Sequence, residues 1–66
     1  MKNRIKIARA ENDLSQADLA DRIGVSRQTI NSIETGRYVP STVLALKMAR
    51  TFNKALEELF QLEDTD

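Results

Sequence analysis

Sixty-six residues amount to one domain with a small core, because a chain of that size buries only about 60% of its unfolded surface, and they leave no room for a deep substrate pocket. Without cysteine or histidine, disulfides, thiolate and imidazole chemistry and an ordinary zinc site are excluded. Ten basic residues cancel ten acidic ones, and no apolar run serves as a signal peptide or nears a membrane span of roughly 20 residues, so a cytoplasmic protein with no membrane partner, no cofactor and no small-molecule ligand is expected.

The charges are segregated along the chain. Residues 1–10 hold Lys2, Arg4, Lys6 and Arg9, residues 40–54 hold Lys47, Arg50 and Lys54, and the last twelve residues hold Glu57, Glu58, Glu63, Asp64 and Asp66. A neutral chain can therefore show a polyanion a positive face if its acidic tail folds away from that face. The first helix is predicted from about Asn3 or Arg4 to Asn12, with Ile5 and Ala8 inward, Asn12 completing the stripe weakly, and Ile7 either partly exposed or packed against the C-terminus. Arg9 admits two roles, a phosphate contact or an internal ion pair.

Leu14 leads into Ser15, whose hydroxyl can cap a second helix while Asp18, three residues on, completes a capping box. Leu19, Ala20 and Ile23 form its buried face, and Gly24 can turn left-handed to stop it. Ser26 caps a third helix with Ile30 and Ile33 inward; Arg27, Gln28, Asn31 and Ser32 fall on the other side, and none of those four is acidic. Two helices joined by a short Gly-containing turn outline a helix-turn-helix. The stretch resembles the DNA-binding unit of the phage repressor and Cro family, the Xre-type regulators. The matching residues are Ser15-Gln16, Ala20, Gly24, the Ser-Arg-Gln-Thr-Ile-Asn run from Ser26 to Asn31, Ile33-Glu34 and Gly36. Arg9, Pro40-Ser41 and Met48-Ala49 fit as well, so the likeness covers roughly residues 4 to 60.

That resemblance implies an all-α, compact five-helix bundle of the lambda-repressor type, with the helix-turn-helix in helices 2 and 3 and double-stranded DNA as the partner. It also implies that Arg9 pairs with Glu34; were that pair buried, removing one partner would cost about 3–5 kcal/mol. Arg27, Gln28, Asn31 and Ser32 are the candidates for base contact, since arginine grips guanine O6 and N7 and the amides grip adenine. Gln16, at a helix N-terminus with its partial positive charge, is a candidate for phosphate, and the resemblance gives it that role. Ser26 can cap and touch the DNA backbone, and Thr29 can reach a phosphate or a thymine methyl. By resemblance Arg37 and Tyr38 touch phosphate beyond the groove, although Tyr38 can equally pack over Pro40.

Ser41 caps a fourth helix from Thr42 to about Phe52, with Thr42, Ala45, Met48, Ala49 and Phe52 as its buried stripe, Leu46 at the margin, and Val43 and Leu44 partly off it. A last helix from Leu56 to Phe60 adds Leu59 and Phe60 to the core. Gln61-Leu62-Glu63 either adds a strand against residues 1–4 or frays with the acidic tail, residues 61–66. Val39, Val43 and Leu56 are left without an obvious place in the core and suggest a homodimer interface, which would set two recognition helices about 34–36 Å apart. The leading expectation is a homodimeric repressor at a near-palindromic operator. The alternative is a protein-interaction module such as an antitoxin. An enzyme is rejected, there being no nucleophile with a matching base, no metal cluster and no Gly-rich phosphate loop.

Overall fold

Short polar side chains fix where the helices begin. Ser15, Ser26 and Ser41 sit in extended backbone, and each hydroxyl accepts the N–H three residues on, from Asp18, Thr29 and Leu44, meeting one of the four unpaired donors of a helix start. In the computed structural model, which describes all 66 residues, they open α2 (Gln16–Ile23), α3 (Arg27–Glu34) and α4 (Thr42–Phe52). At Ser15 the capping box is complete, the Asp18 carboxylate accepting the Ser15 N–H at 3.0 Å. Gly24 ends α2 at φ +76°, a left-handed conformation that costs other residues about 1–2 kcal/mol, and this residue makes the sharp corner into α3.

Ahead of these lie strand β1 (Lys2–Asn3) and α1 (Ile5–Glu11); behind them lie α5 (Leu56–Leu59) and β2 (Phe60–Gln61). The strands pair antiparallel, Lys2 opposite Gln61 and Asn3 opposite Phe60, and the Arg4 N–H donates to the Leu59 carbonyl at 2.8 Å. The sequence left pairing and fraying open. Pairing is what forms, beginning one residue earlier than the stretch considered, because Phe60 is buried in the core and its backbone lies opposite Asn3. Beyond it Leu62 is exposed, and the tail closes on the amino terminus: the Met1 ammonium lies 3.1 Å from Asp66 and 3.2 Å from Glu63.

One apolar cluster joins all five helices. Ile5, Leu19, Ile30, Ile33, Met48 and Leu59 are its fully buried large side chains, each contributing about 1.5–3 kcal/mol by leaving water, and Leu14, Val25 and Leu56 pack around it. Small Ala20, also buried, lies on the face of α2 turned to that cluster. Helix α1 is shorter than expected. Asn3 lies outside it and works from there, its Oδ1 accepting the Ile5 N–H at 3.2 Å and its Nδ2 donating to the Ile33 carbonyl at 2.8 Å. Asn12 is exposed and turns back to the Ala8 carbonyl at 2.8 Å rather than joining the stripe. Ile7 is half-exposed. In α4 the inward set is Leu44, Ala45, Met48, Ala49 and Phe52, while Thr42 is exposed. A residue in the first turn follows the direction of chain entry, and the helical period from Met48 back to Leu44 outweighs the step to Thr42.

Candidate nucleic-acid interface

The outward face of α3 follows from its inward one. With Ile30 and Ile33 locked in the core, the 3.6-residue period turns Arg27, Gln28 and Asn31 to solvent, and all three are exposed. Ser32 is half-buried on the flank, and Thr29 is half-buried beside the turn. Ser26, Gln28, Thr29, Ser32 and Tyr38 line one open depression on this side. The structure thus brings together most of the residues singled out in the sequence.

Two loop residues join them through backbone bonds. The Ser32 carbonyl accepts the N–H groups of Arg37 at 2.9 Å and Tyr38 at 3.2 Å, which folds the loop after α3 back against its last turn. Arg37 is exposed and Tyr38 is 46% exposed, the ring bordering the depression. Lys47, which the sequence reading did not single out, lines an adjoining surface with Thr29, Tyr38 and Ser41. Its signal was there in the basic excess of residues 40–54, but nothing local marked which of those three cations would face α3.

Glu34, the one carboxylate of α3, is withdrawn from this surface. It receives Arg9 through two bonds, Nε to Oε2 at 2.6 Å and one terminal guanidinium nitrogen to Oε1 at 3.0 Å, while the other terminal nitrogen donates to the Leu14 carbonyl at 2.9 Å. The side chains are 14% and 7% exposed. The hydrogen bond to Glu34 raises the Arg9 pKa above its ordinary value against the opposing effect of burial. Of the two roles considered for Arg9, the internal pair is the one present, and it joins α1 to the end of α3.

Gln16 is half-buried at the start of α2, and its amide is turned to protein. Nε2 donates to Asn31 Oδ1 at 3.2 Å and to Glu34 Oε1 at 3.3 Å. Both amide hydrogens are then engaged, so a phosphate oxygen would meet the α2 backbone N–H groups rather than this side chain. Ser26 and Thr29 also engage each other, their hydroxyl oxygens 2.9 Å apart. The three residues considered for a dimer contact separate into two kinds: Val39 and Val43 are 60% and 65% exposed, whereas Leu56 is half-buried against the core.

Residues 5–59 match the family model described as Helix-turn-helix. The chain is 50% identical over 66 residues, the whole of both proteins, to an uncharacterized HTH-type transcriptional regulator of Methanocaldococcus jannaschii. It is 47% identical over 64 residues, 97% of each, to the uncharacterized HTH-type transcriptional regulator YgzD of Bacillus subtilis. Among solved structures, the restriction-modification controller protein C.AhdI of Aeromonas hydrophila superposes with a TM-score of 0.77 at 32% identity over 85% of each chain. A hypothetical transcription factor of Neisseria shares the fold, with a TM-score of 0.76 at 24% identity over 82% of this chain and 61% of that one.

Proposed function

The chain belongs to the Xre-type helix-turn-helix family of DNA-binding transcriptional regulators, and from that premise we propose that it is a cytoplasmic repressor that binds a near-palindromic operator as a homodimer. The observation that carries this reading is the outer face of α3: Arg27, Gln28 and Asn31 project to solvent while the helix's single carboxylate is held by Arg9. Such a rod can enter a major groove without bringing negative charge near phosphate.

In this reading Arg27, Gln28, Asn31 and Ser32 meet base edges. Ser26, Thr29, Arg37, Tyr38 and the N-terminus of α2 at Gln16 hold the DNA backbone and set register. The exposed Val39 and Val43, together with Leu56, form the contact between two copies, which presents two recognition helices about one DNA turn apart.

A mobility-shift titration at several salt concentrations, with excess competitor DNA, tests it. Gln28→Ala is expected to lose base discrimination of about 5- to 100-fold at one position. Arg37→Ala should weaken every sequence alike and reduce the salt slope by about one. Sedimentation should show Val43→Asp dissociating the dimer. Binding that disappears under competitor for all sequences, with partner proteins still captured, would replace this reading with that of an interaction module.

A further inference from the structure

The polar contacts behind α3 form a one-way series. The Glu34 carboxylate has only acceptors, and Arg9 holds it through two bonds of 2.6 and 3.0 Å. Facing Oε1 at 3.3 Å, the Gln16 amide can present only its NH2 group, because its oxygen in that place would oppose a carboxylate oxygen. The same NH2 group then faces Asn31 at 3.2 Å, where only the Asn31 oxygen can accept. With its oxygen held, the exposed Asn31 keeps its Nδ2 free of any hydrogen bond within the protein. An unrestrained asparagine amide could turn over and offer either atom; this one is set by a carboxylate two bonds behind it.

We propose that Gln16 is a positioning residue for base recognition: it holds the Asn31 amide with its oxygen inward and Nδ2 outward, so that Asn31 offers DNA a donor and selects an acceptor on the base edge, a purine N7, guanine O6 or thymine O4. The proposal rests on the assignment of Asn31 to the groove. It gives Gln16 a part in sequence preference that a phosphate contact would not have. It also ties the ion pair between α1 and α3 to what the recognition helix reads. Turning the Asn31 amide over would set two NH2 groups against each other at about hydrogen-bond distance, so the outward donor persists as long as Gln16 and Glu34 keep their contact.

Selection from a pool of random duplexes tests this with the wild-type protein, Gln16→Met, Asn31→Asp, Asn31→Ala and the Gln16→Met/Asn31→Ala pair. Methionine matches glutamine in length and lacks the donor. The position whose preference Asn31→Ala erases is the one Asn31 reads, and in the wild type it is expected to be a base with a groove acceptor, with cytosine disfavoured about tenfold. Gln16→Met should lower that preference to about twofold and leave other positions unchanged, the double variant should lose nothing beyond Asn31→Ala, and the surface variant Asn31→Asp should move the preference to bases with an exocyclic amine in the groove, admitting cytosine through its N4. The proposal is overturned if Gln16→Met weakens all sequences alike with the preference intact, or if Asn31→Asp still excludes cytosine at that position. A wild-type protein that enriches no sequence would instead overturn the operator-binding assignment on which the proposal stands.

Discussion

Arg9–Glu34 and Met1–Asp66 are both charged contacts between distant parts of the chain, 25 and 65 residues apart, yet they differ in kind. The first is a two-bond pair between side chains 14% and 7% exposed, with the third arm of the guanidinium satisfied by a carbonyl. The second is an exposed ammonium shared between Asp66 and Glu63 of the acidic tail. Breaking a largely desolvated pair strands a charge that water reaches poorly, whereas an exposed contact exchanges readily for water and salt. The helix-turn-helix end of the molecule is thus built to keep its geometry, and the terminal end to close loosely.

The largest effect should come from Arg9→Ala, with a loss of about 3 kcal/mol in urea unfolding. The double variant with Glu34→Ala should recover part of that loss, because it leaves no orphaned carboxylate; equal losses would make the two ends alike after all. Next is Gly24→Ala. A Cβ there meets nothing within 4 Å, so the expected cost of about 1–2 kcal/mol is conformational, and thermal unfolding with a crystal structure of the variant would separate strain from steric clash. Asn3→Ala, which removes the link from β1 to the end of α3, should cost about 1 kcal/mol.

The smallest effect belongs to Asp66→Asn, expected to leave the unfolding midpoint unchanged in high salt. In low salt its sign is set by titration. Hydrogen bonds from the Glu63 N–H and then the Met1 ammonium hold the Asp66 pKa below its ordinary value, so its contribution is present above about pH 4 and disappears as pH falls through the lowered folded value. Hydrogen bonds to Asp66 and Glu63 raise the Met1 amine, so its contribution is complete below about pH 8 and is lost as pH rises through the raised value. A stability profile in which the Met1–Asp66 contact contributes only between these limits would sharpen the contrast with the Arg9 end of the molecule.

What the residues disclosed before the fold was known follows from the range of each interaction. The starts at Ser15, Ser26 and Ser41 and the stop at Gly24 were legible, because a cap joins residues three apart and a left-handed turn is a property of one residue. The pairing of Arg9 with Glu34 came from likeness to a family rather than from any local pattern. The bond from Gln16 to Asn31 was not legible, since it depends on how closely two helices cross and on which way a carboxylate orients an amide. In α4 the burial of Leu44 and the exposure of Thr42 were not legible from the first turn, because Met48 and Phe52 in the core fix the phase of the stripe from the other end.

Ser26 and Thr29 share a small inventory of hydrogen. Their two hydroxyls own two protons; one lies between the oxygens, 2.9 Å apart, and the backbone N–H of Thr29 already occupies a lone pair on Ser26. A single proton remains to be given away, and either oxygen can be its owner. However many acceptors a duplex brings to the opening of α3, these neighbours can satisfy one of them, and losing either hydroxyl should leave the other's proton free to make that bond.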